Sequence, residues 1–150
     1  MKAIIRPALP SDLAVIVNMG ERFFDESGFA SVTTWDAESF FFTVSTLLQI
    51  GDGGSLLVAE QHDHIVGMAG AVMFPLFVNR HQFAAQELFW FVSPDYRSGI
   101  GSALLDELEA DARRKGAHVF ISAQIAGQRD EAFKRLYERR GYKPSENTYM

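Results

Sequence analysis

The spacing of apolar residues changes several times along the chain, and each change marks an element. Ala3-Ile4-Ile5-Arg6 reads as a short strand, closed by Pro7 and Pro10. Ser11 and Asp12 then supply an N-cap for a helix carrying Leu13, Ile16, Val17 and, further on, Phe23 and Phe24, which stops near Ser27-Gly28. A second helix is predicted from Asp36 to Ile50, broken by Gly51-Asp52-Gly53-Gly54. The pattern next becomes strand-like. Ser55 to Glu60 and Ile65 to Phe77, joined by the polar turn Gln61-His62-Asp63-His64, predict a hairpin, and Gln86 to Val92 a third strand that ends at Ser93-Pro94. Ile100, Leu104, Leu108 and Ala112 recur at every fourth position, as on one face of a helix. Arg113, Arg114 and Lys115 fill its last turn and Gly116 follows as the C′ residue. Val119 to Ala123 predicts another strand. Phe133, Leu136, Tyr137 and Arg140 predict a last helix stopped by Gly141, and Tyr142 to Met150 a closing strand.

This order (strand, two helices, three strands, helix, strand, helix, strand) implies one α/β or α+β domain over residues 1–150 with a mixed sheet. The composition, 47% hydrophobic and 22% charged, is that of an ordinary globular domain. A net charge of −5 argues against non-specific nucleic-acid binding, which needs clustered Lys and Arg, and favours a cationic substrate such as an amine. With no cysteine, the chain has no disulfide, thiolate metal site or cysteine nucleophile. The first residues do not form a signal peptide and no apolar run reaches membrane-spanning length, so the expected location is cytoplasmic, with no membrane partner. His62-Asp63-His64 reads as an exposed turn rather than a metal site, since no third ligand is apparent, and no metal is expected.

The chemistry concentrates in Tyr96-Arg97-Ser98-Gly99-Ile100-Gly101-Ser102, a glycine-rich loop that runs into a helix after an apolar strand. Gly99 and Gly101 allow a tight turn and a close approach of the main chain to a ligand. A helix N-terminus offers unpaired N–H groups and about half a positive charge, which together attract phosphate. No acidic residue opposes that charge from Gly99 through Leu105; Asp106 is the first. Arg97 adds a cation, and Ser98 and Ser102 add hydroxyls. A glycine pair can also serve as a plain strand-to-helix turn. A nucleotide fold is a poorer match, because the Walker lysine and a Gly-x-Gly-x-x-Gly are both missing.

Val92-Ser93-Pro94-Asp95-Tyr96-Arg97, with Gly99-Ile100-Gly101-Ser102-Ala103-Leu104-Leu105, resembles the coenzyme A loop and helix of the GCN5-related N-acetyltransferase (GNAT) superfamily. Ile5-Arg6-Pro7-Ala8 with Pro10-Ser11-Asp12 resembles its opening strand and helix, and Leu136-Tyr137-Glu138-Arg139-Arg140-Gly141-Tyr142 its last helix and following strand. The resemblance spans essentially the whole chain and implies a three-layer fold, a mixed but mostly antiparallel sheet flanked by about four helices. Two departures stand out. The loop is one residue shorter than the family's Arg/Gln-x-x-Gly-x-Gly/Ala, which puts Tyr96 at the usual Arg/Gln position, and Asp130 stands where relatives often carry Asn.

The resemblance implies acetyl-CoA as acyl donor and a primary amine, on a small molecule or a protein, as acceptor, with transfer in a ternary complex. It implies coenzyme A contacts from Phe91, Val92, Ser93, Tyr96, Arg97, Ser98, Gly99, Ile100, Gly101, Ser102 and Asp130. Glu87, at the start of the apolar run Leu88 to Val92, would be the base; an exposed strand-end carboxylate is the other reading of it. Tyr137, four residues before Gly141, would protonate the leaving thiolate, or else pack as a core tyrosine. An oxyanion donor is expected from a main-chain N–H where the strand bends near Phe91 to Ser93. Some of the aromatic cluster Phe23, Phe24, Phe29, Trp35, Phe40, Phe41 and Phe42 would wall the acceptor pocket, and most of it would fill the core. The resemblance further implies a homodimer, and either more chain after Met150 or a partner subunit completing the sheet. A non-catalytic acyl-CoA-binding module of the same fold is the alternative function.

Overall fold

A computed structural model of the chain describes residues 2–123 and 130–149. Five strands form one sheet in the order β1 (Ile4–Pro7), β2 (Gly54–Gln61), β3 (His64–Leu76), β4 (Asn79–Val92) and β5 (Ala117–Ile121). The first three pairings are antiparallel and β4 with β5 is parallel. Helices α1 (Leu13–Ser27) and α2 (Ala37–Gln49) connect β1 to β2, α3 (Ile100–Arg114) connects β4 to β5, and α4 (Asp130–Arg139) follows β5. The expected mixed, mostly antiparallel sheet with four helices is therefore present.

Strand alternation divides the core into two layers of side chains. On β2, Leu57 and Ala59 join Leu104, Leu105, Leu108 and Ala112 of α3, while Leu56 and Val58 join Ile16 and Met19 of α1 and Val44 and Leu47 of α2. Helices α1, α2 and α3 each bury one stripe, so the sheet lies between α3 on one face and the α1–α2 pair on the other. Leu104 and Leu108 are fully buried; truncating either to Ala would cost roughly 2–5 kcal/mol. Gly20 permits the close approach of α1 and α2, since a Cβ there would fall 2.4 Å from the Phe40 ring. The β2–β3 turn places His62 and Asp63 at φ 52° and 62°, as a two-residue hairpin turn matched to strand twist requires.

Several boundaries differ from the sequence expectation. The helix entry at Ser11 and Asp12 is a 3-10 turn over Pro10–Asp12. The Asp12 carboxylate does not cap α1. It turns back to accept from Leu9 N–H at 2.8 Å and pairs with Arg6, also at 2.8 Å. β4 begins at Asn79 rather than Gln86, because the polar Arg80, His81 and Gln82 continue as an exposed strand end that no apolar pattern marks. Of the aromatic cluster, Phe29, Phe41 and Phe42 are exposed rather than core. The closing strand is not formed over residues 142–149, and Met150 lies outside the described residues. Tyr142 still packs against Phe120 and Tyr137. The stretch Lys143-Pro144-Ser145-Glu146-Asn147 beyond it has no apolar alternation, and its proline cannot donate to a ladder.

Candidate active site

The parallel ladder between β4 and β5 runs only from Phe83 to Gln86, opposite Ala117 to Ile121. β4 then continues to Val92 on β3 alone, so among the described residues its Leu88–Val92 edge has no strand beside it on the β5 side. A bulge accompanies the split: Glu87 faces Ala71 and Phe89 faces Gly70, leaving Leu88 as the extra residue. The bulge reverses the alternation. Before it, Ala85 belongs to the α3 layer; after it, Trp90 and Val92 face that layer while Phe89 and Phe91 face α1 and α2. The bend thus falls at Leu88, earlier than the Phe91 to Ser93 region expected from sequence.

A cleft of about 640 Å³ opens along this split. Its α3 end is made of main chain. Gly99 sits at φ 90° as the residue before α3, with no atom within 4 Å of where its Cβ would stand. The first main-chain bond of the turn runs from Ala103 N–H to Gly99 O at 3.2 Å, so the amides of Gly99, Ile100, Gly101 and Ser102 precede the helical ladder. No acid occupies the first turn of α3. Gly99, Gly101 and Ser102 line the cleft, and this open, amide-rich end fits a phosphate group. Trp90 supports it from below: its indole N–H donates to Gly101 O at 2.8 Å and its ring meets Phe133 of α4 edge-on.

The predicted cation of the loop is held elsewhere. Arg97 donates from Nε to Val92 O at 2.7 Å, pairs with Glu26 of α1 at 2.6 Å and lies over the Phe91 ring. Arg22 covers the same ring and donates to Ser93 Oγ at 3.2 Å. The Ser102 hydroxyl donates to Gly99 O at 3.1 Å. Phe91, Val92 and Arg97 line the cleft, whereas Ser93, Tyr96, Ser98 and Ile100 do not. Tyr96 packs on the α3 layer, and Ser93 N–H donates to Val66 O at 2.8 Å. Asp130 opens α4 on an exposed first turn, away from the cleft wall.

The β5 end is made of side chains. Glu87 lines the cleft yet is only 8% exposed. Burial pushes its carboxyl up to about 7, against the hydrogen bonds it accepts from Ser122 and the Ala123 amide. Ser122, just past β5, donates from Oγ to Glu87 Oε1 at 3.1 Å and lies 2.8 Å from the Tyr137 hydroxyl. Burial also pushes the Tyr137 phenol up to about 12, and the Glu87 charge adds to the rise. Tyr137 is not part of the cleft wall. Its ring is stacked on Phe133, which does line the cleft, and is edge-on to Tyr142. Phe23 of α1 and Phe29, in the 3-10 turn after that helix, also line the cleft.

A family model described as the acetyltransferase (GNAT) family matches residues 21–142. The chain belongs to the GNAT acetyltransferase family. No curated protein sequence matches it. Among solved structures, a transcriptional regulator from Bacillus halodurans C-125 is 23% identical, with 99% of this chain and 97% of that one covered and a TM-score of 0.76. A predicted acetyltransferase with acetyl-CoA from Clostridium acetobutylicum is 17% identical over 99% and 94% of the two chains, at a TM-score of 0.77. AAC(6')-Iy, in complex with the bisubstrate analogue CoA-S-monomethyl-acetylneamine, is 15% identical over 100% and 97%, at a TM-score of 0.78. At these identities the structures establish the GNAT fold.

Within that fold, the structure brings Glu87 and Tyr137 together and places the glycine loop at the other end of the same cleft. Sequence reasoning missed Ser122, Trp90, Glu26 and Arg22 as parts of the site. Ser122 had one faint signal, a hydroxyl directly after the apolar run of β5. Nothing in the sequence linked Trp90 to Gly101, or Arg97 to a carboxylate on α1.

Proposed function

We propose that this protein transfers the acetyl group of acetyl-CoA directly to a primary amine within one ternary complex. The observation that carries the reading is the Glu87 carboxyl, buried at the point where β4 parts from β5, open to the cleft and titrating near neutral pH. A base of that strength is about half deprotonated at pH 7 and can take the proton that nitrogen sheds as the neutral amine, formed from an ammonium of pKa near 10, attacks the thioester. Acetyl-CoA, when bound, supplies the acetyl group as an activated thioester. Two features support its seat: the amides of Gly99 to Ser102, suited to pyrophosphate, and the free Leu88–Val92 edge, suited to an extended chain of amides.

The chain's own groups then divide the work. Glu87 accepts the amine proton. Tyr137, held neutral by burial, donates a proton to the departing sulfur. The main chain at the Leu88 bulge is where an N–H oxyanion donor would stand. Phe91, Val92, Ser93, Tyr96, Arg97, Ser98 and Ile100 would shape the donor channel, whereas Asp130, on the exposed first turn of α4, would stand outside it. The acetyl-CoA and bisubstrate complexes of structures with this fold support a coenzyme A donor. Release of free coenzyme A over a panel of primary amines tests the reading. Turnover is expected with at least one amine, and thermal stabilisation by acetyl-CoA but not by ATP or NAD. Stabilisation without turnover across the panel would leave a non-catalytic binding module.

A further inference from the structure

Ser122 joins the two proton-transfer groups. Its Oγ donates to Glu87 Oε1 at 3.1 Å and lies 2.8 Å from the Tyr137 hydroxyl. A serine hydroxyl has one proton to give. With that proton directed at the Glu87 carboxylate, the Tyr137 phenol must donate to Ser122. The row therefore reads Tyr137 O–H, Ser122 O–H, Glu87 carboxylate, drawn from α4, the end of β5 and β4. The groups facing Glu87 among the described residues are Ser122 and the Ala123 amide from the β5 end and Tyr137 from α4.

We infer that Ser122 is a positioning residue that returns the proton taken up by Glu87 to Tyr137 within each turnover; the inference rests on the roles proposed above for those two residues. The balance closes. A C–N bond forms to the amine and the C–S bond of the thioester breaks. The amine gives a proton to the Glu87 carboxylate, and Tyr137 gives its proton to the leaving sulfur. Protonated Glu87 then passes a proton to Ser122 Oγ as Ser122 passes its own to the Tyr137 phenolate. All three side chains end as they began, with one proton moved from the nitrogen of the neutral amine to sulfur; the additional proton of an ammonium acceptor leaves to solvent before the attack. The reversed row, Glu87 O–H to Ser122 O–H to Tyr137 oxygen, uses the same two hydrogen bonds, so no side chain has to be rebuilt between the two states.

The test uses the full chain with Ser122→Ala and Ser122→Thr, alone and with Tyr137→Phe. Ser122→Ala is expected to lower kcat roughly tenfold or more while acetyl-CoA Kd stays within about twofold. Ser122→Thr, which keeps the hydroxyl, is expected to restore most of the rate. On a Tyr137→Phe background, Ser122→Ala is expected to add almost nothing, because the row is already cut. A readout without substrate accompanies these: the Glu87 carboxyl, followed by 13C NMR in the unliganded protein, is expected to titrate at higher pH in Ser122→Ala than in wild type or Ser122→Thr. Wild-type kcat in Ser122→Ala, additive losses in the double variant, or an unmoved Glu87 titration would each overturn the link. If Glu87→Gln and Tyr137→Phe both keep wild-type rates, the mechanism proposed for the site fails. If they are slow while Ser122→Ala is not, only the Ser122 link fails.

Discussion

The α3 end of the cleft presents main-chain amides, whereas the β5 end presents buried side chains contributed by three separated elements. The first needs little more than a glycine at φ 90°, a helix start and the absence of acids nearby. The second needs a carboxyl, a hydroxyl and a phenol, 35 and 15 residues apart along the chain, to converge within hydrogen-bond reach. The contrast teaches where each kind of change should be felt. At the amide end only substitutions that fill space or add negative charge matter, so effects fall on binding. At the side-chain end deleting one atom matters, so effects fall on turnover.

The largest expected effect tests the side-chain end. Glu87→Gln keeps the shape and removes the base, and is expected to lower kcat/KM by about 10²–10⁴ with acetyl-CoA affinity little changed. The same variant has a stability signature of opposite sign. Burial raises the folded pKa of Glu87 from the ordinary 4.5 to about 7. The folded state therefore holds the proton more tightly, and Glu87 lowers stability as pH rises from about 4.5 to about 7. Glu87→Gln is expected to melt higher than wild type at pH 8, with that advantage gone below about pH 4.5; thermal melts at the two pH values check it.

Gly101→Glu breaks the amide end, putting a negative charge in a first turn that has none. It is expected to weaken acetyl-CoA roughly 100-fold or more by calorimetry. Gly101→Ala is the control. Its Cβ would meet the Trp90 ring at an ordinary 3.7 Å, so near-normal affinity is expected. Tyr137→Phe is expected to reduce kcat by roughly tenfold to 100-fold with Kd for acetyl-CoA unchanged, read from single-turnover rates beside equilibrium binding. The smallest effect is expected from Arg97→Ala. Its guanidinium is already committed to Val92 O and Glu26, so affinity should fall by only about twofold to fivefold. A 100-fold loss would mean that Arg97 leaves Glu26 for the phosphates.

These differences also explain what was legible in the sequence. The amide end was readable because its requirements are local: Gly99, Gly101, the four-residue stripe from Ile100 to Ala112 and the acid-free turn all lie in one stretch. Glu87 and Tyr137 could be singled out only through their positions beside motifs of a known family, and periodicity could not have paired them. Ser122 carried only a faint signal because its importance comes from a fold that brings β4, β5 and α4 together. Arg97 was legible as a cation but not as one bound to Glu26, an ion pair spanning 71 positions. The bend was expected near Phe91 to Ser93 rather than at Leu88 because the one-residue slip leaves an apolar run looking continuous. The closing strand was expected from position rather than pattern, and its polar, proline-containing sequence does not make it.

The most direct measurement is the pH dependence of coenzyme A release, at saturating acetyl-CoA, with the best amine of the panel, in wild type and Glu87→Gln. Wild-type activity is expected to fall on the acid side with a midpoint near 7, the value burial gives the Glu87 carboxyl, and Glu87→Gln to be slow at every pH and to lack that limb. Equal rates and the same acid limb in both proteins would contradict the assignment of Glu87 as the base.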